Sequence, residues 1–308
     1  MLDMSNIHSK QEISYESRSI PTLEDSFHPN SINEAISILN SYGKDAKICA
    51  GVTDLINLMR TQAVTPKYIV FLDRIKELDY IEYNEEDGLR IGALTTYSTV
   101  ESFNIIRDNY LLLHEAICQV GSVQIRNKAT VCGNICRASP SADTASPLLA
   151  LNANIKIANP SQTRIMPIDS FFTGPGETVL KNNEILVGIQ VSKLPMNTGT
   201  AFLKSTRVAV DLAKVNVAVV LTVKENICEN VRIALGAVAP SPIRAEKAEA
   251  MLKGKKLADK LIEEAAEIAA HETKCISDLR APAEYRMELA KVLVKRALKI
   301  SVDRTVGN

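Results

Sequence analysis

The sequence has no excess of either charge and no long apolar run, and each absence excludes a class of protein. Lysine and arginine together number 36, and so do aspartate and glutamate. A formally neutral chain lacks the basic surface that nucleic-acid binding requires. No apolar stretch reaches the roughly 18 to 20 residues that cross a bilayer, and the polar N-terminus has no apolar signal-peptide core. These features predict a cytoplasmic protein that binds no nucleic acid and has no membrane span.

Cysteine and histidine are too few and too dispersed to indicate a metal centre. Of six cysteines, only Cys132 and Cys136 stand close together in sequence, and the four histidines are far apart. Zinc sites and iron–sulfur clusters usually need about four ligands at tighter spacing. We therefore expect no metal in this chain and interpret the cysteines as small, half-buried thiols.

The familiar nucleotide-binding fingerprints are also missing. No G-x-G-x-x-G opens a helix, and no G-x-x-x-x-G-K-[ST] is present. The GPGE stretch at 174–177 is too short for either motif and lacks the apolar helix that would follow. A Rossmann site and a P-loop are therefore unsupported.

The order of the patterns along 308 residues predicts two domains of mixed α and β structure. In the first, short strands at 47–49, 68–72 and 89–93 alternate with helices at 31–40, 54–60 and 110–120. Ser31 and Glu34 form a capping box at the first of these helices. After the KLPMNTGT stretch near residue 195, strand-like runs at 212–223 and 231–238 precede helices at 243–252, 257–271 and 283–300. We expect a flexible extension over 1–25, domains over 26–195 and 196–302, and a tail over 303–308.

Two stretches rich in small polar residues are candidates for ligand binding. The first, CAGVTD at 49–54, lies between a strand and a helix, where small residues let backbone N–H groups approach an anion. In the second, QIRNKATVCGNICRASPSAD at 124–143, we expect Thr130, Gly133 and Asn134 in a tight loop, and Asp143 just before a helix at 144–151. Each signal alone is weak, because such turns and helix-capping aspartates are common.

In combination, these stretches resemble the flavoprotein subunits of molybdenum hydroxylases, the family of the xanthine dehydrogenase FAD subunit and the carbon monoxide dehydrogenase medium subunit. The resemblance is carried, in order, by AGVTDL at 50–55, RIGALTTYS at 90–98, QIRNKATVCGN at 124–134 and ASPSAD at 138–143. FFTGPGE at 171–177 resembles the xanthine dehydrogenase branch, and SDLRAPAEYRMELAKVLVKRAL at 277–298 resembles the family's C-terminal domain. The resemblance covers about residues 26 to 300.

The resemblance implies an α+β fold with one non-covalently bound FAD. The expected architecture is a two-part FAD-binding domain of the vanillyl-alcohol oxidase (PCMH) type, followed by a smaller α+β domain with a short antiparallel sheet and three helices. Asp143 would take a hydroxyl of the ribityl or ribose group, Leu186 would contact the cofactor, and Lys204 would lie near the flavin. Lys204 could instead be a solvated strand residue. The diphosphate would lie between two groups of residues: Ala50, Gly51, Val52, Thr53 and Asp54 on one side, and Thr130, Gly133 and Asn134 on the other.

The sequence departs from the family pattern at two positions. Val52 and Cys132 stand where the family usually has glycine. If both positions required a positive φ, each side chain would cost on the order of 1–2 kcal/mol. On that basis, changing either residue to glycine is expected to leave FAD affinity unchanged or to tighten it.

The activity implied by the resemblance is electron transfer within a complex. A partner subunit with molybdopterin would hydroxylate the substrate, and a second partner with [2Fe–2S] clusters would pass electrons to FAD in this chain. The flavin would then reduce NAD⁺ or another acceptor, so the chain is expected to be an oxidoreductase subunit without a catalytic residue of its own. Two alternatives stay open: a stand-alone flavin reductase of the same fold, and a scaffold subunit that has lost FAD.

Overall fold

The first part of the molecule is built on two sheets. The computed structural model describes residues 22–305. A small parallel sheet has the strand order β1-β3-β2, and a larger antiparallel sheet has the order β4-β5-β10-β6-β7. The strands are β1 (Asp25–Phe27), β2 (Ala46–Cys49), β3 (Tyr68–Phe71), β4 (Ile81–Asn84), β5 (Gly88–Gly92), β6 (Asn154–Ala158), β7 (Thr163–Pro167) and β10 (Ile185–Val191), with a separate hairpin of β8 (Phe172–Gly174) and β9 (Glu177–Thr178).

Short helices connect and cover these sheets. The first begins as the sequence predicts, because the Ser31 hydroxyl accepts a hydrogen bond from the Glu34 N–H at 3.2 Å. The Glu34 carboxylate accepts from the N–H of Asn30, one residue before the cap. The helices of this part are α1 (Ile32–Tyr42), α2 (Leu55–Arg60), α3 (Tyr97–Ser102), α4 (Asn104–Asn109), α5 (Leu111–Ile117), α6 (Val123–Arg126), α7 (Val131–Arg137) and α8 (Ala145–Ala150).

The second part is an antiparallel sheet followed by three helices, as the sequence predicts. Its strands pair in chain order. They are β11 (Thr198–Ser205), β12 (Val215–Lys224), β13 (Ile227–Gly236) and β14 (Ile243–Arg244), and the helices are α9 (Glu246–Leu252), α10 (Asp259–His271) and α11 (Ala283–Thr305). The expected α+β class is therefore confirmed.

Strand β12 is buried on both faces, which explains its nearly continuous apolar sequence. Ala218 and Val220 belong to the core shared with the first part of the molecule, where α5 and α8 pack on the sheet. Val217 and Val219 point to the opposite face and join the core beneath α11. The alternation of side chains along a strand thus divides one apolar run between two cores.

Several predicted boundaries differ from the structure. Strand β12 begins at Val215 and β13 ends at Gly236, while α11 runs through Thr305, past its expected end and into the expected tail. The flexible extension predicted for residues 1–25 lies mostly outside the described residues, and Asp25 already belongs to β1. Residues 306–308 also lie outside the described part. Across residues 22–305, no helix combines the length and the apolar character needed to cross a bilayer.

Candidate cofactor site

A cavity of about 830 Å³ opens between the β2–α2 connection, the segment around α7 and the β8–β9 hairpin. Its size falls within the range of small-molecule and cofactor pockets. Nine of the residues predicted for the site line this cavity: Ala50, Gly51, Val52, Thr53, Asp54, Thr130, Gly133, Asn134 and Leu186. Two stretches that are about 80 residues apart in sequence therefore form opposite walls of one cavity.

Gly51 lies where the two walls touch. A Cβ atom at this position would stand 2.1 Å from the Lys128 carbonyl oxygen and 2.9 Å from the Ala129 Cα. Both contacts are with main-chain atoms, which cannot rotate away. A glycine is therefore needed here to let the β2–α2 loop approach the chain that leads into α7, a reason that the sequence pattern did not reveal.

Val52 has the strained backbone that its departure from the family pattern suggested. Its φ is +65°, and its side chain is 40% exposed at the cavity wall. A β-branched residue in this region is disfavoured by contact between its Cβ atom and its own backbone. Val52 therefore has the positive φ at which a side chain costs on the order of 1–2 kcal/mol.

The second wall is a helix, and the expectation of a tight loop at Thr130, Gly133 and Asn134 is wrong. The Thr130 hydroxyl caps α7 by accepting a hydrogen bond from the Gly133 N–H at 3.0 Å. A Cβ atom on Gly133 would come within 2.7 Å of that hydroxyl oxygen. Asn134 lies one residue further on, and its side-chain oxygen accepts a hydrogen bond from the Thr144 hydroxyl at 2.9 Å.

Cys132 belongs to this helix and has no positive φ, so the strain argument does not apply to it. Its side chain is 2% exposed, and its thiol lies 3.7 Å from the Gly92 carbonyl oxygen. Burial raises the pKa of the Cys132 thiol well above its ordinary value and raises the pKa of Cys136 to about 12. Both thiols are therefore neutral at physiological pH and serve as apolar packing groups.

Asp143 and Lys204 form a buried ion pair directly behind the cavity wall. The Lys204 ammonium lies 2.6 Å from the Asp143 carboxylate and also donates to the Gln119 carbonyl oxygen at 3.0 Å. The two side chains are only 2% and 8% exposed, so the solvated alternative for Lys204 is wrong. Neither residue is among those that line the cavity, but their neighbours are: Val120 follows Gln119, whose carbonyl oxygen Lys204 contacts, and Asn134 accepts from Thr144, the residue after Asp143.

The environment of this ion pair leaves hydrogen-bonding capacity unused. Burial raises the pKa of Asp143 to about 6, while Lys204 lowers it. Among residues 22–305, the second carboxylate oxygen of Asp143 has no hydrogen-bond partner, and the buried side-chain amide nitrogen of Asn216 also lacks one. Buried polar atoms are rarely left without a partner in folded proteins. The free carboxylate oxygen can accept from a hydroxyl group and the free amide can donate to a carbonyl group, and the sugar and flavin parts of FAD carry both kinds of group.

The sequence did not indicate several residues that line the cavity. Thr173, Gly176 and Glu177 of the FFTGPGE stretch line it, and the Gly176 N–H donates to the Ala138 carbonyl oxygen at 2.9 Å. Arg137 also lines it and makes no ion pair among residues 22–305. The FFTGPGE motif had already been singled out, but nothing in its local pattern indicated which element it would meet.

Across the described residues, no group of three histidine, cysteine, aspartate or glutamate side chains could hold a metal ion. The cavity instead has close backbone approaches, small residues and a few buried polar groups. This combination suits a long polar organic ligand.

Comparisons with known proteins agree with this geometry. A family model for the FAD-binding domain in molybdopterin dehydrogenase matches residues 21–194. A second, for the CO dehydrogenase flavoprotein C-terminal domain, matches residues 200–300. Fold and cavity thus define a two-domain flavoprotein that binds FAD.

Individual relatives narrow the family to which the chain belongs. The chain is 33% identical over 276 residues to the carbon monoxide dehydrogenase medium chain of Hydrogenophaga pseudoflava, covering 90% of this chain and 96% of the relative. It is 31% identical to the xanthine dehydrogenase FAD-binding subunit of Escherichia coli O157:H7, covering 89% and 94%. A solved structure of the Hydrogenophaga pseudoflava carbon monoxide dehydrogenase matches with a TM-score of 0.90 at 34% identity, covering 93% of this chain and 99% of that chain. The protein belongs to the family of FAD-binding medium subunits of molybdenum hydroxylases.

Proposed function

We propose that this chain is the electron-transferring FAD subunit of a molybdopterin-dependent hydroxylase of the xanthine dehydrogenase type. The observation that carries the proposal is the cavity, whose two walls meet at Gly51 and whose lining contains nine of the predicted cofactor residues. When bound, FAD would supply the redox chemistry, and the protein would bind and orient it.

Each predicted site residue would contact the part of FAD that its position in the fold allows. The main chain at Ala50, Gly51, Val52, Thr53 and Asp54 would hold the diphosphate from one side, with Thr130, Gly133 and Asn134 on the other. Leu186, at the five-stranded sheet, would pack against the cofactor. Asp143 would accept a hydrogen bond from a cofactor hydroxyl, and Lys204 would keep that carboxylate ionised and lie near the flavin.

The assembly is proposed from the relatives' names. They are medium chains or FAD subunits, and another matching solved structure, at 31% identity, is a Cu,Mo-CO dehydrogenase. We propose a large partner with molybdopterin, a small partner with [2Fe–2S] clusters that delivers electrons to FAD, and NAD⁺ or another molecule as acceptor. The proposed domain limits are 26–195 for the FAD-binding domain and 196–302 for the second domain.

The proposed substrate is of the xanthine dehydrogenase type. Relatives named for carbon monoxide, glyceraldehyde and xanthine are similar to this chain at 33%, 34% and 31% identity, so overall identity favours no substrate. The xanthine type is favoured by the FFTGPGE stretch, which forms the hairpin at the cavity.

The cofactor is tested by titrating the purified full-length chain with FAD. We expect uptake of about one FAD per chain, a flavin absorbance spectrum, and release of the flavin on denaturation, because no covalent attachment is proposed. A colourless chain that takes up no FAD would contradict the proposal and favour the scaffold alternative.

The assembly is tested by activity before and after partner subunits are added. The isolated chain should oxidise no purine, because the site that hydroxylates the substrate is proposed to lie in another subunit. Hydroxylation coupled to reduction of NAD⁺ should appear when the molybdopterin and [2Fe–2S] subunits are present. Full turnover of a small substrate by the chain alone would favour the stand-alone reductase.

A further inference from the structure

Three residues form a row across neighbouring strands of the β11–β14 sheet, behind the cofactor cavity. Lys204 on β11 pairs in register with Asn216 on β12, and Asn216 pairs with Gly236 on β13. Directly paired residues of antiparallel strands project from the same face of a sheet. Because the Lys204 ammonium contacts Asp143, Asn216 and Gly236 lie on the same face of the sheet as this ion pair.

Gly236 provides the space that the Asn216 side chain occupies. A Cβ atom at Gly236 would lie 2.4 Å from the side-chain oxygen of Asn216 and 2.9 Å from its amide nitrogen. Any larger residue would push the Asn216 amide out of its position. The two residues therefore function as a pair: Asn216 supplies the polar group, and Gly236 leaves the space for it.

The Asn216 side chain is fixed at one end only. It is fully buried, and its oxygen accepts a hydrogen bond from the Ser146 hydroxyl at 2.6 Å. Within the described part of the chain, its amide nitrogen has no partner in hydrogen-bonding geometry, and neither has the free carboxylate oxygen of Asp143. The amide nevertheless lies close enough to the Asp143 carboxyl to lower its pKa. A donor and an acceptor thus lie side by side in a buried space.

We propose that Asn216 is a positioning residue of the FAD site, which orients the Asp143 carboxylate through its side-chain amide so that the carboxylate can accept a hydrogen bond from the cofactor. The Ser146 hydroxyl fixes the orientation of the amide, and Gly236 admits it. This inference rests on the proposed function, because it assumes that the cavity holds FAD.

The charged and titratable groups around Asp143 determine how this arrangement depends on pH. Lys204 on β11 faces the carboxyl, and Tyr97 on α3 lies near enough for Asp143 to raise its pKa. Burial raises the pKa of Asp143, whereas Lys204 and Asn216 lower it. Because the ionised carboxylate is the acceptor, FAD affinity should fall as the pH drops through the pKa of Asp143. Removing the Asn216 amide raises that pKa, so the fall should then occur at higher pH.

The test uses Asn216→Leu in the full-length chain, which keeps a side chain of similar shape but removes the amide. FAD affinity is measured by flavin fluorescence titration from pH 5 to pH 8. At pH 7 we expect affinity about tenfold weaker than in the parent, as for the loss of one buried hydrogen bond. The acid limb of the affinity profile should move to higher pH, which a general loss of stability would not produce.

The matched control is Thr222→Val, which removes a buried hydroxyl from the same pair of strands, where Thr198 and Thr222 are hydrogen-bonded at 2.9 Å. It should leave both the affinity and its pH profile unchanged. If Asn216→Leu does not fold, Asn216→Ala replaces it, because alanine removes the amide donor without adding bulk or a new charge beside Asp143. It is expected to shift the acid limb in the same direction.

The possible results separate this inference from the proposed function. A parent chain that binds no FAD would overturn the proposed function. A parent that binds FAD, beside a folded Asn216 variant with an unchanged affinity profile, would overturn only the role of Asn216. Equal weakening by the Asn216 variant and Thr222→Val, with no shift along the pH axis, would also overturn it.

Discussion

At Val52, a β-branched residue occupies a backbone conformation that favours glycine. Val52 has a φ of +65° and lies at the edge of the cofactor cavity. We expect Val52→Gly to tighten FAD binding by up to about tenfold or to leave it unchanged, because glycine adopts a positive φ without the strain of roughly 1–2 kcal/mol that a side chain carries there. Fluorescence titration measures the change. Val52→Ala is the control, since it shortens the side chain but keeps a Cβ atom at positive φ. Weaker binding by Val52→Gly would mean that the valine side chain itself contacts the cofactor.

The corresponding change at Cys132 should destabilise the protein, because Cys132 does not have the positive φ that would make glycine favourable. Cys132 is buried in a helix, so glycine would add backbone freedom and remove packing. We expect Cys132→Gly to lower the free energy of unfolding by about 1–2 kcal/mol without tightening FAD binding. Urea denaturation followed by circular dichroism measures the loss, with Cys132→Ala as the control that removes the thiol alone. Stronger FAD binding in the glycine variant would contradict the structural explanation.

Gly51 is constrained by the neighbouring main chain. An alanine Cβ atom would overlap the Lys128 carbonyl oxygen, so Gly51→Ala should force the two cavity walls apart. We expect FAD affinity to fall by about tenfold or more, since small displacements of an ordered site cost on the order of 1 kcal/mol or above. Gly254→Ala is the control for strain without overlap, because alanine is disfavoured at the Gly254 φ of 75°, whereas no atom of residues 22–305 lies within 4 Å of the added Cβ. If Gly51→Ala binds FAD as tightly as the parent, the close approach of the two walls is not needed for the site.

Among the elements, α7 forms the cavity wall and depends on its N-terminal cap. The helix is only seven residues long, and helices this short are not stable without tertiary contacts and caps. Thr130→Ala should lower the free energy of unfolding by about 1 kcal/mol and weaken FAD binding, because the Gly133 N–H loses its acceptor. Thr130→Ser keeps an equivalent hydroxyl and should restore both properties. Equal effects of the two substitutions would show that the threonine methyl group, and not the cap, is what matters.

On the scale of the whole molecule, Glu115 on α5 links the first part of the chain to the second. Its carboxylate accepts from the Phe202 N–H on β11 at 3.0 Å and pairs with Arg304 on α11 at 2.7 Å. Glu115→Ala should lower the free energy of unfolding by about 1–3 kcal/mol, because a partly buried N–H loses its acceptor. Calorimetry should show one unfolding transition in the parent, since α5 and α8 share a core with the β11–β14 sheet.

The control for Glu115 is Lys295→Ala, which removes an exposed ion pair with Glu263. Such pairs contribute about 0–1 kcal/mol, so little stability should be lost. An equally small loss for Glu115→Ala would mean that the link contributes no more than a surface contact.

The sequence by itself determined the elements and stretches that local rules control. The capping box at Ser31, the amphipathic final helices and the order of the small-residue motifs follow from neighbours in the chain, because caps and periodicity involve residues only a few positions apart. The same local rules misjudged α7. Gly133 and Asn134 are poor helix formers, and only the Thr130 cap and the packing of the buried α7 residues Val131 and Ile135 make that segment helical.

Only the tertiary structure decided which distant residues meet. Asp143 and Lys204 are 61 residues apart, and Asn216 and Ser146 are 70 apart, so no periodicity connects them. The need for glycine at Gly51 arises from the Lys128 backbone, and the burial of Lys204 arises from α5 and the 138–143 segment covering the sheet. Exposure, pKa and close approach depend on what packs against a residue from elsewhere in the chain, and the residues beside it in sequence do not encode that.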